Sequence, residues 1–498
     1  MWSLHTKKKV QMRDKLSLAT KILKLQRDNK QLKEKSKSSN AENRRLRSRI
    51  KELKESRLNW RNRYKSLSLS SNEVTKSSCQ SVNAEEKIIG HSYSRTIVEL
   101  CVSVYILGNC GLRSSLKAIT CMCVIMGIEL RRLPSKSTLE NWVQKIGYSI
   151  YEASGPKYMN ESYSLIIDES MVIGQERILV ILGIRSTKET KEALPMSEVE
   201  VLSMKVRPSW TGAQVQESIE KVMEKEGKKA AYVLSDRGST MCKGIKEAGL
   251  IRVADVGHEI ARLTERSYGK GDLEAFLAES KQAKAKLIMT PMSYLLCPRQ
   301  RNIARFMNLS PIIDWGKHIL DSFDKLSEQE QGKFEWIKKY EKLIKELSKV
   351  FETTEKIQKV IKNEGLSNIN IRICLDFCHQ ALQGASSTFK QLLENISSYL
   401  KEEGDKLPSI NSVWHASSDI IESLFGTLKS KKATNPLHGV TPFILFLPLM
   451  TKIDSAEPRL NIDFKAALEN VFMSDLAKWN KDQLIENQIV RRNKLFKK

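Results

Sequence analysis

The sequence lacks any apolar run long enough to cross a bilayer. Its longest runs, near residues 119–128 and 443–450, fall far short of the roughly 20 residues that a membrane-spanning helix needs. The opening residues MWSLHTKKK also lack the apolar core of a secretory signal peptide. We therefore expect a protein that is not secreted and has no membrane partner.

Paired cysteines are also missing. The nine cysteines show no C-x-x-C spacing, and an odd number fits a disulfide framework poorly. This usage predicts a reducing compartment, which is the cytoplasm or nucleoid of a bacterium or the nucleus of a eukaryote. Cys374, Cys378 and His379 are a possible start of a zinc site, but we interpret the two thiols as ordinary buried side chains.

Acidic residues are scarce relative to basic ones, above all near the beginning of the chain. The whole sequence has 83 Lys and Arg against 58 Asp and Glu, a net charge of +25. Residues 1–65 hold 22 of the basic residues and only 6 of the acidic ones. Such a block predicts a polyanionic partner, and without apolar membrane segments nucleic acid is favoured over an acidic membrane.

Glycine and proline are absent from residues 8–66, which are rich in helix-forming residues. Leu46, Leu53 and Trp60 show seven-residue spacing, so we predict a basic coiled coil over residues 1–66 that forms a homodimer or a higher homo-oligomer. A solvated basic helix is the alternative. Residues 67–92 read as a Ser-rich linker.

A helix, a turn ending at Pro134 and a second amphipathic helix are predicted within residues 93–155. The spacing from Ser137 to Glu140 is that of a capping box. We expect a helix-turn-helix-like region that binds DNA, although many helical hairpins bind none. The basic residues expected to contact DNA at the entry to its second helix are Arg131, Arg132 and Lys136.

Strand patterns begin after this helical region. Three β-rich runs are followed by a helix, a short strand, another helix and a further strand, the order βββαβαβ. This order predicts an α/β ribonuclease-H-like core with a mixed sheet. The strands are predicted at residues 162–170, 176–186, 198–207, 230–234 and 251–256. The predicted segments are 160–262 for the first part of the core, 263–411 for an all-α insertion, 412–450 for the final part and 451–498 for a basic helical tail.

Three carboxylates stand out against this pattern. Asp168 and Asp236 each follow an apolar strand, and Glu422 lies on an amphipathic helix. If the two strands are neighbours, both Asp side chains emerge at the same edge, where they repel unless a cation joins them. Mg²⁺ accepts such oxygen ligands, and two ions about 4 Å apart suit phosphodiester chemistry. Either Asp could instead be a turn or cap residue, and Asp419 rivals Glu422 as third ligand.

These motifs resemble those of the DDE transposases, which have a ribonuclease-H-like catalytic domain. The similar stretches are LIIDES around Asp168, VLSDRGS around Asp236 and SSDIIESLFGTLKSKK around Glu422. Asp255-x-x-His258 resembles the C/D-x-x-H motif of members with a helical insertion, such as the hAT, Mutator-like and Transib groups. The 186 residues from Asp236 to Glu422 agree with such an insertion.

The resemblance implies an enzyme that cleaves transposon ends and transfers the strand to target DNA. Asp168, Asp236 and Glu422 would bind two Mg²⁺ or Mn²⁺ ions, and His258 would lie beside them. Its partner would be double-stranded DNA, as terminal inverted repeats and as target. The alternatives are a ribonuclease-H-like nuclease without strand transfer and a domesticated, non-catalytic coiled-coil DNA-binding protein. Further DNA contacts would come from Lys429, Lys431, Lys432 and, by stacking on a base, Trp315.

Overall fold

In the computed structural model, residues 1–84 and 85–498 form separate units, and nearly all described residues lie in the second. Nearly all of the predicted coiled coil, most of the linker, Arg131 and Lys432 lie outside the described residues. The side chains of residues 171–173 also lie outside them. The structure describes residues 25, 29, 88–128, 132–153, 156–173, 176–299, 309–431, 439–453, 459–486 and 488–496.

The described residues form a mixed α/β structure around one five-stranded sheet. The sheet order is β3-β2-β1-β4-β5, with β1 antiparallel to β2, β2 antiparallel to β3, and β4 parallel to both β1 and β5. All five predicted strands are confirmed, although β4 begins three residues later than predicted. The ribonuclease-H-like fold itself stays a prediction, as do the domain boundaries. The strands are β1 Tyr163–Ile173, β2 Glu176–Arg185, β3 Glu200–Arg207, β4 Val233–Ser235 and β5 Arg252–Ala254.

Alternation along β1 gives the sheet two apolar faces. Leu165 and Ile167 belong to one buried cluster, whereas Ile166 belongs to a second and larger one. Successive strand side chains point to opposite faces, so this division follows directly from the sequence pattern. The smaller cluster is covered by two helices, Gly212–Glu226 and Ser239–Glu247, which contribute Val215 and Ile245.

Helices make up the remaining regular structure of the described residues, with five short 3₁₀ segments between them. None of these helices is both long enough and apolar enough to cross a membrane. The helices are α1 Arg95–Leu107, α2 Leu112–Met126, α3 Lys136–Glu152, α4 Gly212–Glu226, α5 Ser239–Glu247, α6 Val256–Tyr268, α7 Asp272–Leu287, α8 Ser310–Asp321, α9 Glu328–Phe334, α10 Glu341–Glu364, α11 Asn368–Ala381, α12 Ser387–Gly404, α13 Asp419–Lys431, α14 Leu447–Met450, α15 Phe464–Glu469, α16 Met473–Gln483 and α17 Gln488–Phe496.

Helix α12 covers the β5 edge of the sheet through side-chain hydrogen bonds. Glu403 accepts from the backbone N–H of Ala254 at 3.3 Å, and the Tyr399 hydroxyl donates to the carbonyl of Ala254 at 3.2 Å. Lys406, just beyond α12, donates to the carbonyl of Arg252 at 2.9 Å. These bonds satisfy backbone groups that an edge strand would otherwise expose. They also join the helical region after β5 to the sheet.

Helix α3 begins slightly earlier than the sequence pattern predicted. Its N-cap is Ser135, whose hydroxyl accepts from the backbone N–H of Thr138 at 3.1 Å, so the predicted cap at Ser137 is wrong. The helix packs closely against the segment after residue 440. A Cβ added to Gly147 would lie 1.7 Å from the carbonyl oxygen of Leu445, so only glycine fits there.

Candidate active site

The register of the sheet places Asp168 and Asp236 level with each other. Strands β1 and β4 are parallel neighbours, and Ile166 pairs with Leu234. Each Asp lies two residues beyond its member of that pair, on the same face. Neighbouring strands lie about 4.8 Å apart, so the two carboxylates belong to one edge of the sheet.

Backbone contacts hold both Asp side chains. Asp168 Oδ1 accepts from the N–H of Glu169 at 2.7 Å, and Asp236 Oδ1 accepts from the N–H of Gly238 at 3.0 Å. Arg252 donates to the backbone carbonyl of Asp236 at 3.1 Å, which fixes the turn after β4. Within the described part of the chain, neither Oδ2 atom has a hydrogen bond.

The neighbouring acids change the pKa of Asp168. The pKa of Asp168 is raised to about 7, first because the carboxyl is buried and second because of the negative charge of Asp236. Glu422 raises it further, whereas the N–H of Glu169 and the charge of His258 oppose the shift. The site therefore favours a proton or another cation at Asp168.

Glu422 lies in the first turn of α13 and faces His258. Its Oε1 lies 3.3 Å from Nε2 of His258, on α6. The rival acid Asp419 is paired with Lys362 on α10 instead. Burial raises the pKa of Glu422, and the charge of His258 is the largest opposing effect. Of the two candidate third acids, Glu422 is therefore the one that contacts His258.

Asp255 joins the two helices that carry His258 and Glu422. It is the N-cap of α6, and its Oδ1 accepts from the backbone N–H of His258 at 2.7 Å and contacts Nδ1 of the same residue at 3.0 Å. Its Oδ2 accepts from the N–H and the hydroxyl of Ser418, at 2.6 and 2.9 Å. Because Ser418 immediately precedes α13, Asp255 determines where that helix starts relative to α6.

His258 is a cation in this arrangement. Its hydrogen bond to Asp255 is the main reason that its pKa rises to about 9, against the effect of burial, and the charges of Glu422 and Asp168 add to the rise. At neutral pH both ring nitrogens therefore carry protons, one directed to Asp255 and the other to Glu422. Burial would raise the pKa of Asp255, but the bonds from His258 and Ser418 keep it below its ordinary value.

The donor set suits a hard cation. Asp168, Asp236 and Glu422 supply only oxygen, which Mg²⁺ and Mn²⁺ prefer, and a cation would relieve the repulsion at Asp168. No three His, Cys, Asp or Glu side chains of the described residues are already grouped so as to hold a metal ion. Metal loading would therefore move side chains, and the contact between Glu422 and His258 is one that would change. The predicted two-ion site stays a prediction.

The basic residues expected to contact DNA differ in their surroundings. Lys429 is exposed, and its charge opposes the rise in the pKa of Glu422 that burial causes. Lys431 instead donates to the carbonyl of Cys110 at 3.3 Å and lies 4.2 Å from the ring centroid of Tyr105. Lys431 therefore ties the end of α13 to the region around α1.

The predicted helix-turn-helix region presents some of its basic residues to solvent. Arg132 is exposed, and Lys136 is exposed with an ion pair to Glu140 at 3.2 Å. Their contact with DNA stays a prediction.

Trp315 lies within an aromatic cluster of the helical region. Its indole N–H donates to the carbonyl of Leu295 at 2.9 Å, and its ring packs near Phe276, Phe334 and Trp336. The ring is partly buried. These contacts give Trp315 a packing role in the chain as it stands, and stacking on a DNA base stays a prediction.

The cysteine cluster agrees with its interpretation as ordinary thiols. Cys374 and Cys378 are buried, and burial raises the pKa of both thiols, whereas His379 is exposed.

Several residues that shape the site were missed in the sequence. Ser418 and Arg252 carry no motif, since their partners are distant in the chain or lie in its backbone. Glu259 had a local signal: it follows His258 and precedes Arg262 by three residues, a spacing that brings side chains together on a helix.

No family model matches the chain, and a search of the curated proteins finds no match to it either.

Proposed function

We propose that the protein is a DNA transposase of the DDE class, which cleaves transposon ends and joins the freed strand to target DNA. The observation that carries this proposal is the level placement of Asp168 and Asp236 at one edge of the sheet. The third acid, Glu422, contacts His258, and its charge contributes to the raised pKa of Asp168. The sheet order, with three antiparallel strands followed by two parallel ones, is compatible with a ribonuclease-H-like core.

Asp168, Asp236 and Glu422 would hold two Mg²⁺ or Mn²⁺ ions. When bound, such ions supply positive charge that activates an attacking oxygen and stabilises a leaving one at a phosphodiester. The protein's own groups hold the carboxylates in position. The N–H groups of Glu169 and Gly238 orient the two Asp carboxylates, and each keeps one oxygen for the cation.

Asp255 and His258 act as positioning residues for the third acid. Asp255 binds both His258 and Ser418, so it fixes the start of α13 relative to α6. Nε2 of His258 lies 3.3 Å from Oε1 of Glu422, so His258 sets the position from which this carboxylate would reach the cations. A preorganised arrangement of this kind lowers the cost of gathering like charges around a phosphate.

The test uses labelled duplex DNA taken from the sequences that flank the gene. The proposal predicts nicks that leave a 3′-OH in Mg²⁺ or Mn²⁺ and none in EDTA. Asp168→Asn and Asp236→Asn should abolish cleavage and leave DNA binding in place, whereas the exposed Asp376→Asn should cleave normally. Absence of metal-dependent cleavage by the wild type, with binding retained, would favour the non-catalytic alternative.

A second reaction separates a transposase from a nuclease. DNA that already ends in a 3′-OH is incubated with a circular target, and joined products are measured. A transposase produces them, and a nuclease that only hydrolyses does not.

A further inference from the structure

A buried carboxylate beside the candidate active site binds two arginines. The Glu259 side chain is 2% exposed, and its Oε2 lies 2.6 Å from Nε of Arg237. Arg262 approaches the same carboxylate with two nitrogens, at 2.5 and 3.2 Å. One negative charge thus faces two positive charges, which leaves this cluster with a positive excess.

The cluster adjoins the acids in the chain. Arg237 directly follows Asp236, and Glu259 directly follows His258. Arg262 lies one helical turn beyond His258 on α6, and Arg266, which is exposed, lies one turn further. Residues four apart on a helix share a face and are separated by about 6 Å along its axis. Arg262 and Arg266 therefore form a row of cationic side chains on the face of α6 that carries His258.

Neutralising Glu259 requires only one of these arginines. Arg262 already contacts both carboxylate oxygens, which is the geometry of a bidentate pair. The Arg237 and Arg262 side chains remain 40% and 42% exposed. Among the described residues, no other carboxylate pairs with either guanidinium. Glu259 holds both guanidinium groups, and each keeps N–H donors that pair with no other carboxylate of the described residues.

We propose that Arg237 and Arg262, fixed by Glu259 and extended by Arg266, bind the phosphodiester backbone of the DNA strand that reaches Asp236. This inference rests on the proposed function, since it assigns the neighbouring phosphates of the same substrate. Guanidinium groups suit phosphate because they donate several hydrogen bonds in a fixed plane. Glu259 acts as a positioning residue that orders both side chains before DNA arrives.

The experiment measures DNA binding in EDTA, so that it is independent of cleavage. Fluorescence anisotropy of a short labelled duplex gives the association constant at several NaCl concentrations. Arg237→Gln, Arg262→Gln and Arg266→Gln should each weaken binding and make the plot of log K against log[NaCl] less steep. The slope should change by about 0.9 for each phosphate that the variant no longer neutralises.

Arg185→Gln is the matched control. Arg185 also pairs with an acid, Glu161 at 2.7 Å, and its strand neighbour Tyr163 is five residues before Asp168 on β1. That separation corresponds to about 17 Å, so this variant removes the same charge far from the site. Its salt slope should equal that of the wild type.

The proposal is overturned if the wild type does not bind the duplex, or if the three variants keep the wild-type slope. A lowered thermal midpoint with an unchanged slope would show that the arginines are only structural. Arg266→Gln leaves Glu259 and its partners intact, so it tests the row even if Arg262→Gln fails to fold. Reduced slopes without any metal-dependent cleavage would support the arginine row and contradict the proposed function. Metal-dependent cleavage with unchanged slopes would support the proposed function and contradict the arginine row.

Discussion

Replacing Asp255 with asparagine should destabilise the junction between α6 and α13. The carboxylate accepts four hydrogen bonds of 3.0 Å or less from His258 and Ser418. An asparagine has a single side-chain oxygen, which can accept from His258 or from Ser418 but not from both. Its NH₂ group then faces the backbone N–H of the other residue. One buried donor is left without an acceptor, which costs about 1–3 kcal/mol. The two bonds that the asparagine oxygen still accepts are no longer to a charged group, which costs about 1 kcal/mol each. With about 2 kcal/mol for the unpaired donor, the total is about 4 kcal/mol.

Hydrogen exchange measured by mass spectrometry gives a local readout of this prediction. Amides of residues 256–260 and 416–420 should exchange about 1,000-fold faster in Asp255→Asn, since each 1.4 kcal/mol corresponds to a factor of about ten. The urea midpoint of the whole chain should fall as well.

Asp463→Asn is the control for Asp255→Asn. Asp463 is the exposed N-cap of α15, where asparagine serves equally well, so little should change. If Asp255→Asn exchanged no faster than Asp463→Asn in these peptides, the junction would not depend on the carboxylate and the reasoning would be refuted.

Two further predictions concern stability. His415 is buried, and burial together with the charge of Lys188 lowers its pKa from 6.5 to about 4. The unfolded chain binds this proton more readily, so stability falls as pH drops from 6.5 towards 4. The loss between about pH 7.5 and pH 5 should be about 2 kcal/mol, and urea midpoints should show that His415→Gln lacks this part of the pH dependence. Gly147→Ala would place a Cβ 1.7 Å from the Leu445 carbonyl and should cost about 3 kcal/mol or more in thermal or urea unfolding. Gly332→Ala, inside α9 with no atom within 4 Å of the added Cβ, should instead stabilise by about 0.5–1 kcal/mol.

A specific result would contradict each of the two stability predictions. Equal pH dependence of the wild type and His415→Gln would mean that His415 does not titrate between the folded and unfolded states as argued. Equal effects of Gly147→Ala and Gly332→Ala would contradict the close approach of α3 to the segment around Leu445.

The strands were predictable because their signal is local. In β1, Leu165, Ile166 and Ile167 form an apolar run, and Asp168 interrupts it, so both the strand and the unusual acid are visible in a few residues. The level placement of Asp168 and Asp236 needed one further assumption, that β1 and β4 are neighbours. The structure supplies that pairing.

The junction around Asp255 could not be predicted in full. The Asp255-x-x-His258 motif is visible within four residues, and Asp255 caps α6 through the N–H of His258. Its second partner, Ser418, lies 163 residues away, and no periodicity relates two positions across so long a helical region. The same limit applies to Glu403, which binds the β5 edge from α12. Packing between distant segments decides both interactions.

Binding of Mn²⁺ tests the central claim most directly, because free Mn²⁺ gives a strong electron paramagnetic resonance signal that weakens when the ion is bound by protein. The wild type should reduce the free signal, and Asp168→Asn and Asp236→Asn should each restore it, whereas Asp376→Asn should behave like the wild type. Wild-type Mn²⁺ binding that survived both substitutions, or no binding at all, would contradict the claim that these carboxylates form a cation site.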